Sequence, residues 1–87
     1  QIKELMIYKK ALFNADDISE NELVKILNPV INSKSIWKPH SLLLLGDYFL
    51  SKGEKEKAKD FFMQILLDEK SNQNILFQTQ LRIKKNF

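Results

Sequence analysis

The sequence predicts an all-α fold of five antiparallel helices in a single domain over residues 1–87. Three observations lead to this prediction. A chain of 87 residues is long enough for one small core. Apolar residues recur three and four positions apart over long stretches, which places them on one side of an α-helix. Only two glycines and two prolines interrupt these stretches, whereas β-rich folds need turn residues at short intervals.

The first helix is predicted from Ile2 to about Asn14, and a polar stretch follows it. Ser19 and Glu22 then have the spacing of a capping box, in which the hydroxyl and the carboxylate each satisfy a free backbone N–H. The second helix is therefore predicted to begin directly after Ser19. Pro29 is expected to kink or weaken its last turn, because proline lacks a backbone N–H.

The third helix is predicted to begin near Trp37, because Pro39 is tolerated only in the first turn of a helix. It extends to about Lys52. Gly53 then ends it, since glycine readily adopts the left-handed backbone conformation that closes a helix.

The fourth helix is predicted over residues 54–69 and the fifth over residues 72–85, with Ser71 as the N-cap of the fifth. The loops between the five predicted helices are short. Short loops bring consecutive helices together as antiparallel neighbours, so the chain is expected to form a series of α-hairpins.

Small and aromatic residues alternate at fixed separations around Gly53. Gly46 and Ala58 are placed where the third and fourth helices would face each other, and Phe49 and Phe62 follow them by three and four positions. This order of residues resembles a tetratricopeptide repeat. Three positions depart from the motif of that repeat: Leu42, Ile65 and Lys70.

A shift of 35 residues finds a weaker copy of this pattern upstream. The aligned pairs are Ala11 with Gly46, Leu23 with Ala58, Leu27 with Phe62, and Val30 with Ile65. The resemblance therefore implies a tetratricopeptide-like domain in three parts. They are a degenerate first hairpin over residues 1–33, the best-matched repeat over residues 36–70 and a capping helix over residues 71–87.

Residues 19–87 are also similar to the C-terminal part of the YfgM-type tetratricopeptide-repeat-like family of bacteria. The similarity lies in the segment LNPVI before a tryptophan, the segment LLLLGDYFLSKGE and a closing helix that contains an arginine. Members of this family have an N-terminal membrane helix and a periplasmic repeat domain, and are associated with the Sec translocon and periplasmic chaperones. The resemblance implies a domain on the periplasmic side of the inner membrane, attached only through an anchor upstream of this chain.

The composition offers few reactive groups. The chain has one histidine, no cysteine and no glycine-rich phosphate loop, so we expect a protein that is not an enzyme, with no cofactor and no metal site. The lysines near Gly53 alternate with acidic residues, which is typical of a solvated helix surface. Because the net charge is only +3, nucleic-acid binding is not expected either.

The run of four leucines at positions 42–45 covers nearly the whole circumference of a helix. At least one of these leucines must therefore face something other than the partner helix of the same hairpin. Packing against the next helix is one explanation, and an exposed groove or a membrane-surface helix is another. The run is too short to cross a bilayer, which takes about 20 apolar residues.

In the repeat architecture that the chain resembles, the first helix of each hairpin lines a concave surface. The residues predicted on this surface are Tyr8, Leu12, His40, Leu43, Asp47 and Leu50. An apolar groove with a few polar groups suits a bound peptide. The leading hypothesis is thus a protein–protein interaction domain of an envelope-associated bacterial protein, which binds a translocon subunit, a chaperone or a client chain. The alternative is a module for self-association of a larger protein.

Overall fold

The computed structural model describes residues 2–87, and every regular element in this range is an α-helix. The helices are α1 (Ile2–Asn14), α2 (Glu20–Ile31), α3 (Trp37–Ser51), α4 (Lys55–Leu67) and α5 (Gln73–Asn86). The described residues contain no strand, so the predicted all-α class and the number of helices are confirmed.

The N-terminus of α2 has the predicted serine cap, because Ser19 Oγ accepts a hydrogen bond from the backbone N–H of Glu22 at 3.3 Å. Pro29 lies inside α2, which continues to Ile31. The backbone N–H of Asn32 still donates to the carbonyl of Asn28 at 3.0 Å, so helical hydrogen bonding continues past the proline. Pro29 is solvent-exposed and removes only the one hydrogen bond that its missing N–H would make.

Gly53 ends α3 as predicted, and its φ of 78° lies in the left-handed region. The N–H of Gly53 donates to the carbonyl of Leu50 at 3.1 Å, and the N–H of Glu54 donates to the carbonyl of Phe49 at 2.9 Å. These two bonds form a Schellman motif, which satisfies the last carbonyls of α3. The chain can then turn within three residues and begin α4.

Two predicted helix ends were wrong at the junction of α4 and α5. Helix α4 ends before Asp68, where the backbone is extended with φ −83° and ψ 125°. The N-cap of α5 is Asn72 rather than Ser71, since Asn72 Oδ1 accepts a hydrogen bond from the N–H of Ile75 at 2.8 Å. The hydroxyl of Ser71 instead donates to the carbonyl of Ile65 at 2.7 Å and so satisfies the end of α4.

The core lies between α3 and α4 and extends to α2. Its fully buried side chains from these three helices include Leu23, Leu27, Leu42, Leu45, Ala58, Phe62 and Ile65. A Cβ atom at Gly46 would overlap the ring of Phe62, with Cδ1 at 2.8 Å, so glycine is what allows α3 and α4 to approach this closely.

The leucine run belongs to this core. Leu42 and Leu45 are fully buried, whereas Leu43 and Leu44 are half-buried and pack against the core. Among residues 2–87, no helix has both the length and the apolar character needed to span a membrane.

Tyr48 attaches the loop between α1 and α2 to α3. Its ring is almost fully buried, and its hydroxyl donates a hydrogen bond to the backbone carbonyl of Ile18 at 3.1 Å. This bond connects two parts of the chain that are 30 residues apart in sequence. The loop is therefore attached to the core at a defined point.

Candidate functional site

Three aromatic rings connect α1 to α3. The ring of Tyr8 stacks on Trp37, with 5.7 Å between the ring centroids and 24° between the planes. His40 contacts both rings, at 5.9 Å from Tyr8 and 4.9 Å from Trp37. Trp37 and His40 are three residues apart in α3 and therefore lie on the same side of it. All three side chains are only half-buried, so the cluster also presents aromatic surface to solvent.

An ion pair connects α3 to α5. Arg82 Nε donates a hydrogen bond to Asp47 Oδ1 at 2.6 Å. Arg82 Nη1 also donates to the backbone carbonyl and to Oε1 of Gln78, at 3.0 and 3.1 Å, which fixes the direction of the guanidinium group. The side chains of Arg82 and Asp47 are 29% and 43% exposed, so the pair can be reached from solvent.

These two features lie on one side of the molecule. Asp47 follows His40 by two helical turns, which places both on the same side of α3. The pKa of the Tyr8 hydroxyl is raised, mainly by burial and secondly by the negative charge of Asp47. We call the surface formed by Tyr8, Trp37, His40, Asp47 and Arg82 the α1–α3–α5 face.

Polar groups accompany the aromatic rings on this face. His40 Nδ1 lies 3.3 Å from the carbonyl oxygen of Ile36. In the part of the chain that the structure describes, the Tyr8 hydroxyl has no hydrogen-bond partner. No group of three or more His, Cys, Asp or Glu side chains within residues 2–87 is arranged to hold a metal ion.

The six residues predicted on the concave surface have different environments. Tyr8, His40 and Asp47 belong to the α1–α3–α5 face. Leu43 and Leu50 are half-buried and pack against the core. Leu12 is 48% exposed and follows Tyr8 by four residues, on the same side of α1.

The sequence did not lead us to predict that Trp37 and Arg82 belong to this face. Trp37 precedes His40 by three positions, so the helical spacing of α3 already placed the two together. Arg82 follows Asp47 by 35 residues, which is also the shift that aligns the two hairpins. That shift marks equivalent positions rather than contacts, so it did not predict that Arg82 and Asp47 would form an ion pair.

Two cavities lie outside the α1–α3–α5 face. One, of about 460 Å³, lies between α2 and α4, and the other, of about 470 Å³, lies at the C-terminal ends of these helices. None of the six predicted residues lines either cavity. The face and the cavities are therefore separate surfaces of the domain.

No protein family, curated protein or solved structure matches this chain. The tetratricopeptide-like arrangement and the similarity to the YfgM-type family stay predictions drawn from the residues. The fold and the geometry of the α1–α3–α5 face are therefore the basis for assigning a function.

Proposed function

We propose that this domain is a divergent tetratricopeptide-like module without catalytic activity, which binds a segment of another protein on the α1–α3–α5 face. The observation that carries the proposal is the convergence of three helices on one accessible face. Helix α1 contributes Tyr8, α3 contributes Trp37, His40 and Asp47, and α5 contributes Arg82. The first helix of each proposed hairpin and the closing helix thus supply the groups that a ligand would contact.

The repeat arrangement is supported by burial. The eight residues of the four aligned apolar and small pairs, from Ala11 and Gly46 to Val30 and Ile65, are all buried. In the proposed arrangement, consecutive helices are antiparallel, and α5 occupies the place of the first helix of a third hairpin. The shift also aligns Phe77 and Leu81 of α5 with Leu42 and Gly46 of α3, which are buried. Phe77 and Leu81 are 60% and 49% exposed, because no helix packs on that side of α5 among the described residues.

The proposed mechanism is binding to a preformed surface. The stacked rings of Tyr8 and Trp37 offer a rigid apolar area, so little side-chain entropy is lost when a ligand covers them. The free hydroxyl of Tyr8 and the second carboxylate oxygen of Asp47 offer one donor and one acceptor beside the rings. These groups suit a protein segment that has an apolar side chain flanked by polar groups.

The cellular setting that we propose follows from the resemblance to the YfgM-type family. The domain would belong to an envelope-associated bacterial protein and face the periplasm. Its partner would be a translocon subunit, a periplasmic chaperone or a client chain.

Site-specific photo-crosslinking tests this proposal. A photoreactive phenylalanine analogue is placed at Tyr8, at His40 or, as a control, at the exposed Gln80, in the full-length protein produced in its native cells. We expect translocon, chaperone or client chains to be crosslinked at positions 8 and 40 and not at position 80. No crosslinked partner at positions 8 and 40, or equal crosslinking at all three positions, would contradict the proposal.

Self-association is the second candidate function, and a different observation favours it. On α1, Ile2, Met6 and Phe13 are 77%, 65% and 82% exposed and lie on one side of the helix. A second copy of the chain would remove this apolar surface from water. Sedimentation velocity over a range of concentrations tests it: a dimer that Met6→Asp abolishes supports self-association, and a monomer at all concentrations rejects it.

A further inference from the structure

The two cavities outside the α1–α3–α5 face are neighbours along α2 and α4. Gln64 lines both cavities, so they meet at this side chain. On the α2 side, the wall runs from Asn21 past Asn28 to Ser33. Asn21 and Ile31 are about 15 Å apart along α2, and Ser33 lies two residues beyond the helix, so together the two cavities form a groove that an extended peptide of about five or six residues would fill. We call it the α2–α4 groove.

The first half of the groove has an apolar floor. Val24 and Phe61 are half-buried there, and Phe61 stacks on the buried ring of Phe49 with 5.5 Å between the ring centroids. An ion pair of 3.0 Å between Lys57 and Glu20 connects α4 to α2 at this end. The floor offers space for one aliphatic or aromatic side chain.

Side-chain amides line the edges above this floor, from Asn21 and Asn28 on α2 and Gln64 on α4. Within residues 2–87, the amides of Asn21 and Gln64 make no hydrogen bond, and Asn28 has only a long one of 3.5 Å with Asn32. An amide both donates and accepts, as a peptide group does. An extended peptide leaves its backbone N–H and C=O groups free for such partners, whereas a helix satisfies its own. The edges therefore favour an extended ligand.

The second half of the groove carries unpaired positive charge. Lys34, Lys38 and Lys70 line it, and none of them has an ion pair among the described residues. The two acidic residues there are Asp68 and Glu69, so the three lysines outnumber the carboxylates. Asp68 Oδ1 accepts a hydrogen bond from the backbone N–H of Lys70 at 2.8 Å, whereas its Oδ2 is buried without a hydrogen-bond partner among the described residues. An acidic side chain of the ligand would be stabilised at this end. Val24 and Ile31 are about 10 Å apart along α2, and Ser33 lies two residues beyond the end of the helix, so the apolar and acidic residues of the ligand would be about four positions apart.

We propose that the α2–α4 groove is a second binding site, which takes an extended peptide with an apolar residue and, about four positions away, an acidic residue. It is independent of the α1–α3–α5 face, since no residue of that face lines it. The amide edges hold the peptide backbone, Val24 and Phe61 receive the apolar side chain, and the three lysines attract the acidic one.

Selection from a phage-displayed library of random 12-residue peptides on the whole 87-residue chain tests this inference. We expect enriched peptides to have the apolar–acidic spacing, and their affinity is then measured by fluorescence polarisation with synthetic peptides. Asn28→Trp fills the groove from an exposed position and should weaken binding at least tenfold, whereas Gln80→Trp, at another exposed amide on α5, should leave it unchanged within twofold.

A charge-reversal experiment completes the test. The double variant Lys34→Glu, Lys38→Glu should weaken binding at least fivefold, and replacing the acidic residue of the peptide by lysine should restore it. The inference is overturned if no peptide is enriched above background, if the enriched peptides bind Asn28→Trp as tightly as the wild type, or if they show helical spacing of apolar residues. Each outcome leaves the photo-crosslinking result at positions 8 and 40 unaffected.

Discussion

Helices α1 and α4 have the same length of 13 residues but very different roles in the fold. Helix α4 fully buries Ala58, Phe62 and Ile65, whereas α1 fully buries only Ala11. The large apolar side chains that α1 leaves exposed are Ile2, Met6, Leu12 and Phe13. Most of the stability should therefore come from the packing of α3 and α4, while α1 leaves apolar surface that the proposed partner would cover. A functional residue on α1 can change with little cost to the fold.

The largest effect should come from a pair of phenylalanine substitutions that compares these helices. Phe62→Ala in α4 removes a fully buried ring and should lower the free energy of unfolding by about 3–5 kcal/mol. Phe13→Ala in α1 removes a ring that is 82% exposed and should change it by no more than about 0.5 kcal/mol. Urea unfolding followed by circular dichroism measures both, and similar losses would contradict the comparison.

The next effect should come from Gly46→Ala. Alanine in place of glycine inside a helix normally stabilises it by about 1 kcal/mol. Here the added Cβ would overlap the ring of Phe62, so we expect a net loss of about 1–3 kcal/mol instead. Urea unfolding measures the change in the free energy of unfolding, and its sign tests this expectation. A stabilised variant would show that α3 and α4 are not closely packed at this point.

A smaller effect is expected for the ion pair between Asp47 and Arg82. A double-mutant cycle with Asp47→Asn and Arg82→Gln should give a coupling energy of about 0.2–1 kcal/mol, because both side chains are partly exposed. The coupling should decrease in 1 M salt. A coupling above about 2 kcal/mol would mean that this face supports the fold as strongly as the core does.

The smallest expected effect is on the pH dependence of the free energy of unfolding. Burial, followed by the charge of Asp47, raises the pKa of Tyr8 above its usual value of 10.0. A raised pKa favours the neutral hydroxyl in the folded state, so Tyr8 contributes stability below pH 10 that is lost as the pH rises through its folded pKa. Tyr8→Phe should therefore reduce the loss of stability between pH 9 and pH 11, as measured by urea midpoints. An unchanged pH profile would place Tyr8 in solvent rather than against Trp37.

The parts of the fold that could be predicted from the sequence are those set by local chemistry. The serine cap at Ser19 and the glycine stop at Gly53 depend on hydrogen bonds within a few residues, and both predictions were confirmed. The predicted N-cap of α5 was wrong because Ser71 and Asn72 are adjacent and both residue types are good N-caps. A contact six residues back, from Ser71 to the carbonyl of Ile65, decides between them.

Contacts between distant parts of the chain were harder to predict. Helical spacing placed Leu42 and Leu45 on one side of α3, but it could not tell how far the neighbouring helices would cover Leu43 and Leu44. The pairing of Arg82 with Asp47 depends on where α5 packs, and no local pattern reports that.

The hydrogen bond from Tyr48 to the carbonyl of Ile18 also has a mechanical consequence. If the domain is pulled from its N-terminal side, α1 has only one fully buried side chain to resist and should detach first. The pulling force then acts on Ile18. The hydrogen bond from Tyr48 transmits this force to α3 in the middle of the domain, so further extension should pause once α1 has detached. A domain stretched by its partners would in this way lose its first helix under tension while keeping the other four folded.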